Sequence, residues 1–226
     1  MSVLSETVDW LTDGDNWSGD AGIPHRVVEH LGYTALTVAI AAAIAIPLGL
    51  YIGHTGRLRG LAIAVSGALR ALPTLGVLTS ILLITGIGLK PSIIALVLLA
   101  LPPLLAGAYS GLEAVDRSTI DAARAIGMTE TQILTKVEVP LALPLIVGGI
   151  RSATLQVVAT ATIAAYVGLG GLGRYLIDGL ALSDYPRMAG GSVVVIVLAL
   201  VLDAVFVALQ RLAMGGRATV ESAAQS

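Results

Sequence analysis

The amino-acid sequence predicts an all-α membrane protein with about five transmembrane helices. Of its 226 residues, 56% are hydrophobic and only 12% are charged, and the mean hydropathy is +0.89. Soluble domains average roughly 45–50% apolar and 25% charged residues, so this composition cannot build a water-facing surface. Apolar runs of about 20 residues, the length that crosses a bilayer, recur along the chain.

The five apolar runs follow a polar lead-in at 1–31, which is acidic and lacks the basic stretch of a signal peptide. They extend over about 33–53, 61–84, 91–112, 141–167 and 188–212. Pro47 and the Pro102-Pro103 pair fall inside runs, where neighbouring helices can satisfy the freed backbone groups. Residues 32–212 are therefore predicted to form the membrane domain, with a cytoplasmic tail at 213–226.

The basic residues predict which side of the membrane each loop faces. In a five-span arrangement most of them fall on one side, and these are Arg57, Arg59, Arg117, Arg124, Lys136, Arg211 and Arg217. The other side holds Arg26, Lys90, Arg174 and Arg187. By the positive-inside rule, the long loop at 113–140 and the C-terminus face the cytoplasm, and the N-terminus faces outward.

The long loop at 113–140 is predicted to contain two short helices. Asp116 is a favourable N-cap for the first, and Gly127 stands where a left-handed residue would end it. Thr129 with Gln132 three residues later matches a capping box for the second. That second helix is predicted to end before Pro140, because the residue preceding a proline disfavours helical geometry.

One face of the first short helix could dock onto another protein. The three- and four-residue spacings place Ile120, Ala123, Arg124 and Gly127 on the same side. Such a small-residue face suits insertion into a groove. The same face could instead lie on the membrane surface, and spacing alone leaves both interpretations open.

The sequence of this loop resembles that of a known family. Asp121-Ala-Ala-Arg-Ala-Ile-Gly127, followed by a stretch that ends Leu-Ala-Leu-Pro144, is similar to the EAA loop of binding-protein-dependent ABC importer permeases. Asp121 stands where that family usually has Glu. The resemblance implies a type I ABC importer permease fold, in which the loop is a coupling helix inserted into a cytoplasmic ATPase. The coupling residues it implies are Asp121, Ala122, Ala123, Arg124, Gly127, Pro140 and Pro144.

Two further segments refine the resemblance. Residues 141–151 and 164–173 are similar to the osmoprotectant branch, which imports glycine betaine, choline, carnitine or related quaternary amines. The resemblance implies as partners a cytoplasmic ABC ATPase, a second permease that is identical or homologous, an extracytoplasmic substrate-binding protein and membrane lipids, with no nucleic acid. It places the chain in a bacterial or archaeal inner membrane.

ATP hydrolysis is expected on the partner ATPase. The chain lacks the G-x-x-x-x-G-K-[ST] loop that cradles phosphates, so ATP and Mg are expected on the separate subunit. We expect no catalytic residue and no cofactor in this chain. With three histidines and no cysteine, we also expect no metal site.

A glycine-rich run formed by Gly168, Gly170, Gly171 and Gly173 matches the G-x-G-x-x-G pattern of dinucleotide-binding folds. That pattern requires a preceding strand and a following helix, whereas this run ends an apolar span. The run is therefore interpreted as a flexible outer loop that contacts the binding protein or gates the transport path.

Three ionisable residues lie within the apolar runs, where charges are costly and usually functional. Arg70 precedes Pro73 and is predicted to sit at a helix break. Arg151 and Asp203 lie at similar depths from the cytoplasmic side, so they could pair or could each extend separately towards water.

Two other classes of function remain as alternatives. An ion-gradient-driven secondary carrier would need intramembrane acids as coupling sites, and only Asp203 qualifies. A non-transporting membrane scaffold would need neither a capped cytoplasmic loop nor charges within its spans.

Overall fold

We describe the protein from a computed structural model, which covers residues 3–224 and, beyond Arg211, only the helical backbone. The described residues form helices and connecting turns, with no strand among them. The predicted all-α class is therefore confirmed. The helices are α1 (Val3–Thr12), α2 (Ile23–Thr55), α3 (Arg59–Ala71), α4 (Thr74–Thr85), α5 (Leu89–Glu113), α6 (Arg117–Ala125), α7 (Glu130–Ile133), α8 (Val139–Ala164), α9 (Gly173–Leu182) and α10 (Tyr185–Ala224).

The predicted number of spans is also confirmed. Four helical stretches are long and apolar enough to cross a membrane, namely Ile23–Thr55, Leu89–Glu113, Glu130–Val167 and Tyr185–Arg211. The pair α3 and α4, bent by 90° at a short break, makes five if the two helices are counted as one broken span. Pro73 is the N-cap residue of α4 at this break, and the nearby Arg70 and Leu72 are exposed.

The predicted end of a helix before Pro140 is wrong. A π-helical segment at Leu134–Glu138 joins α7 directly to α8, and Pro140 is the second residue of α8. The Val139 N–H donates to the carbonyl of Leu134, five residues back. This widened turn interrupts the α-helical hydrogen-bonding pattern immediately before Pro140. The N–H group that proline lacks is therefore lost at little cost.

The first of two compact units comprises residues up to 39, 71–100 and 154–202. Its core includes Leu78, Leu96 and Leu169, and a second cluster holds Ile23, Leu172 and Tyr175 with Trp10 packed against them. The N-terminal helix α1 and the short helix α9 both belong here and were not predicted, although each has an amphipathic pattern.

The second unit comprises residues 40–70, 101–153 and the chain from 203 onward. Small residues let its helices approach closely, as expected where packing rather than hydrophobicity drives association. A Cβ added to Gly107 would lie 2.7 Å from the Cα of Gly149, and one added to Gly49 would lie 2.5 Å from the Cβ of Ala108. Of the predicted cytoplasmic tail at 213–226, the structure describes only the helical backbone to Ala224, and Arg217 lies beyond the described side chains.

Candidate functional site

The short helix α6 has the caps that its sequence predicts. The Ser118 backbone N–H donates to the Asp116 carboxylate at 2.8 Å. This hydrogen bond lowers the pKa of Asp116 below its ordinary value, because it stabilises the charged form. The carboxylate therefore fixes the start of α6 at the point where the chain leaves α5.

The other end of α6 closes in a Schellman arrangement. The N–H of Met128 donates to the carbonyl of Ala123 (3.1 Å), and the N–H of Gly127 donates to that of Arg124 (2.9 Å). Gly127 has φ +86°, a left-handed conformation that glycine adopts without strain. The predicted helix end at Gly127 is confirmed.

The turn after Gly127 leads directly into the next capped element. Thr129 and Gln132 exchange hydrogen bonds between side chain and backbone at 2.9 and 3.4 Å, which is the predicted capping box. The two helices α6 and α7 thus form a compact elbow held by local hydrogen bonds. We name residues 116–138 the coupling elbow.

The exposed face of α6 differs from the one that spacing predicted. Ala123 is only 6% exposed, so it packs inward and cannot touch a partner. Asp121, Ala122 and Ala125 are exposed, and the Ile126 side chain is 80% exposed. Of the predicted docking face, Arg124 and Gly127 are exposed and Ile120 is half-buried, so Ala123 alone of the four is covered. The outward surface also includes the apolar tip at Ile126.

Charged side chains surround this surface. Arg124 donates to both carboxylate oxygens of Glu130, at 2.8 and 3.1 Å, and lies 3.5 Å from Asp121. The hydrogen bonds to Glu130 raise the pKa of Arg124. Asp121 nonetheless keeps a side chain that is 73% exposed, so its carboxylate is available to a partner.

A polar cleft of about 330 Å³ lies behind the coupling elbow, between the ends of α2 and α5 and the π-helical segment. His54 at the end of α2 hydrogen-bonds to Glu138 at 2.5 Å across this cleft. Arg59 pairs with Glu113 at 3.2 Å on its other side. The contact between His54 and Glu138 was not predicted, although an acid between Val137 and Val139 at the start of an apolar stretch is a recognisable signal.

The remaining two predicted coupling residues, Pro140 and Pro144, lie within α8. Pro140 is the second residue after the π-helical segment, and Pro144 lies one turn further along. The carbonyl of Pro144 accepts a hydrogen bond from Gln210 of α10 at 3.2 Å. These prolines therefore shape the junction between the coupling elbow and α8, and neither belongs to the exposed tip.

Of the three ionisable residues that the sequence predicts within apolar runs, two are brought together. The Arg151 guanidinium donates two hydrogen bonds to the Asp203 carboxylate, at 2.7 and 2.8 Å, which pairs α8 with α10. Each side chain remains about one third exposed (33% and 32%). Arg70, by contrast, stands exposed at the break between α3 and α4.

The glycine-rich run is packed, which corrects its interpretation as a flexible loop. The Gly171 N–H donates to the Glu29 carboxylate at 3.0 Å. A Cβ on Gly171 would lie 3.0 Å from His30 Nδ1, and one on Gly173 would lie 2.4 Å from the carbonyl oxygen of Thr162. Gly168 and Gly171 also adopt positive φ values, of 94° and 78°. The run is therefore a tight turn built against α2 and α8.

One protein-family model matches most of the chain. The family model described as "Binding-protein-dependent transport system inner membrane component" matches residues 45–213. This range contains the coupling elbow, the glycine-rich run and the Arg151–Asp203 pair. The match covers well over half of the chain.

Curated relatives match over most of their length. The osmoprotectant import permease protein OsmW of Salmonella typhimurium is 37% identical over 206 residues, which cover 88% of this chain and 92% of the relative. The carnitine transport permease protein OpuCB of Listeria monocytogenes is 35% identical, over 77% and 80% of the two chains. The choline transport system permease protein OpuBB of Bacillus subtilis is 33% identical, over 83% and 86%.

Solved structures share the fold. A chain of the inward-facing MetNI methionine ABC transporter matches with a TM-score of 0.75 and 24% identity, over 84% of this chain and 95% of that one. A chain of an amino acid ABC transporter matches with a TM-score of 0.64 and 20% identity, over 94% and 97%. These similarities establish the type I importer permease fold.

Proposed function

The chain belongs to the family of binding-protein-dependent transport system inner membrane components, and on that premise we propose that it carries quaternary-amine osmoprotectants. As a member of this family it is a permease subunit of an ABC importer and is not itself catalytic. Its proposed cargo is glycine betaine, choline, carnitine or a closely related solute. The observation that carries the proposal is the match at 31–37% identity, over most of both chains, to permeases named for these solutes.

The coupling elbow is the proposed contact with a cytoplasmic ABC ATPase. Its apolar tip at Ile126, flanked by the exposed Asp121 carboxylate, has the shape and chemistry to enter a groove on a partner. The aspartate is one methylene shorter than glutamate, so its partner group must approach α6 closely. Binding and hydrolysis of ATP with Mg then occur on the ATPase. Closure of the ATPase displaces the coupling elbow and the membrane spans connected to it.

Two further partners complete the proposed transporter. A second permease subunit, identical or homologous, lines the transport path with this chain, and an extracytoplasmic binding protein delivers the solute. A quaternary ammonium cannot donate hydrogen bonds and is best held by aromatic rings, of which the chain has few in its spans. Selectivity therefore resides mainly in the binding protein.

The proposed orientation places the coupling elbow and the C-terminus in the cytoplasm and the N-terminus outside. It follows from the excess of arginine and lysine in the loops on the elbow's side of the five spans. The family membership disfavours the two alternatives of an ion-driven carrier and a scaffold, since the family is one of binding-protein-dependent importers.

Solute uptake into proteoliposomes tests the cargo. The chain is purified together with the subunits it retains, reconstituted, and supplied with its binding protein and labelled glycine betaine, choline, carnitine or methionine. We expect ATP-dependent accumulation of at least one quaternary amine and none of methionine. Accumulation of methionine alone would contradict the proposed cargo, and uptake driven by an ion gradient without ATP would restore the secondary carrier.

A matched pair of glycine variants links this uptake to the coupling elbow. Gly127→Val forces a branched side chain into the left-handed conformation at the end of α6, so we expect it to abolish uptake. Gly32→Ala lies inside α2, where an added Cβ meets nothing within 4 Å, so it should transport like wild type. Equal uptake by the two variants would contradict the role of the elbow.

A further inference from the structure

A series of ionisable side chains joins the end of α2 to the coupling helix α6. The Nδ1 atom of His54 lies 2.5 Å from a Glu138 oxygen, and its Nε2 atom lies 3.4 Å from a Glu130 oxygen. Glu130 in turn accepts two hydrogen bonds from Arg124 on α6. His54 therefore contacts both ends of the segment that leads from α7 through the π-helical turn.

The Glu138 end of this series is buried. Glu138 is 3% exposed, and among the described residues His54 is the one whose side chain hydrogen-bonds to it. A buried carboxyl group needs a hydrogen-bonding partner, because leaving its polar atoms unpaired away from water is costly. The contact between His54 and Glu138 is thus constrained, unlike the exposed pairs of the same region.

The α2 end of the series is equally constrained. A Cβ added to Gly53 would lie 2.7 Å from the Cβ of Leu112 and 2.8 Å from the carbonyl oxygen of Tyr109, so α2 and α5 are in close backbone contact here. The neighbouring His54 side chain is only 15% exposed. Its imidazole cannot move far without carrying the end of α2 with it.

We propose that His54 is a positioning residue that transmits displacement of the coupling helix to the first membrane span. The ATPase displaces α6. The pair Arg124 and Glu130 transmits that displacement to His54, while the buried Glu138 keeps His54 aligned. An imidazole suits this place because its two nitrogens lie on opposite edges of the ring, one beside Glu138 and the other beside Glu130. The inference rests on the proposed function of the elbow as the contact with an ATPase.

The coupling ratio of the reconstituted transporter, which is the amount of solute moved per ATP hydrolysed, tests this linkage. For each variant, ATP hydrolysis and uptake of labelled glycine betaine, choline and carnitine are measured together, along with recovery of the ATPase subunit. His54→Gln offers one amide nitrogen in place of two ring nitrogens on opposite edges. We expect it to retain the ATPase and its hydrolysis but to move ~5-fold less solute per ATP, the size typical of coupled neighbouring residues.

Two companion variants make the result specific. Glu130→Gln changes a side chain that is 56% exposed, so this variant should fold normally. It should also lower the amount of solute moved per ATP, and it therefore replaces His54→Gln if that variant is unstable. Arg59→Gln removes a different ion pair of the same cleft, between Arg59 of α3 and Glu113 of α5, and should leave the ratio unchanged.

The outcomes separate this inference from the function on which it rests. A coupling ratio within twofold of wild type in both His54→Gln and Glu130→Gln would overturn the linkage, as would an equal loss in Arg59→Gln. A wild-type chain that recovers no ATPase would instead contradict the proposed function, and with it the linkage. Parallel loss of ATP hydrolysis and uptake in Glu130→Gln would show that His54, Glu130 and Glu138 have only a structural role, which would also overturn the linkage.

Discussion

Arg151 and Asp203 neutralise each other within the membrane-spanning part of the chain. Two parallel hydrogen bonds of 2.7 and 2.8 Å join the guanidinium to the carboxylate, the geometry that arginine favours with acids. Their similar depth could be predicted by counting residues along each helix. That they face one another could not, because the rotation of α10 about its axis depends on packing against α8.

Charge exchange at this pair is the first prediction from the structure. Arg151→Asp or Asp203→Arg alone places two like charges together, so we expect severalfold less folded protein in the membrane and correspondingly less uptake. The exchanged double variant restores opposite charges and should recover most of both. The measurement is thermal stability and uptake of the purified transporter at matched expression.

Independent extension of the two side chains towards water would give a different result. In that case each single reversal would have a small effect, and the double variant would show the sum of the two. Gln210→Leu serves as the control, since it removes a hydrogen bond between the same two helices without changing any charge.

Residue-scale features were predictable when they were local. Asp116, Gly127 and the Thr129–Gln132 box were all predicted, because caps depend on a few consecutive residues. The contact between His54 and Glu138 spans 84 positions in sequence and was missed. Ala123 was assigned to the docking face although it is buried, because spacing shows which residues share a side but not which of them are covered.

At the scale of elements, the connection between α7 and α8 gave the clearest departure from prediction. Proline usually ends a helix, yet Leu134–Glu138 absorbs one extra residue and lets the helix run on into the membrane. This segment also orients Glu138 towards His54. A continuous helix from the coupling elbow into the span is a stiffer connection than the predicted helix break would be.

The cap of α6 yields a prediction of pH dependence. The Ser118 N–H lowers the folded-state pKa of Asp116, so its contribution to α6 is present above the ordinary value of 3.8 and is lost as pH falls through the lowered pKa. We expect amides of α6 to lose protection from hydrogen exchange only in that acidic range. Exchange followed by mass spectrometry of loop peptides measures it.

Two substitutions at this cap separate charge from hydrogen bonding. Asp116→Asn keeps the acceptor without a titrating group, so α6 should stay protected with a weaker response to acid. Asp116→Ala removes the acceptor and should expose the same amides at neutral pH. Equal protection in wild type and Asp116→Ala at neutral pH would show that tertiary contacts alone hold α6.

At the scale of the whole molecule, hydropathy predicted the five spans and resemblance predicted the family, because both depend on patterns spread along the chain. The helices α1 and α9 escaped this reasoning since they are too short to span a membrane. The glycine-rich run was taken for a mobile loop, yet its residues pack tightly against α2 and α8. Glycine content alone does not distinguish flexibility from close packing.

The central claim is that a separate ATPase drives this permease through the exposed tip of α6. The chain contains no cysteine, so Ile126→Cys introduces a single thiol in it, at a side chain position that is 80% exposed. Ser18→Cys, exposed in the lead-in before α2, and Ala123→Cys, buried inside the elbow, are matched controls.

The most direct measurement is thiol cross-linking in intact membranes, followed by identification of the cross-linked subunit. We expect Ile126→Cys to cross-link to an ABC ATPase, and Ser18→Cys and Ala123→Cys to give no such product. A transport-competent Ile126→Cys chain that forms no cross-link to an ATPase, or an ATPase cross-link at Ser18→Cys, would contradict both the coupling role of α6 and the orientation of the chain.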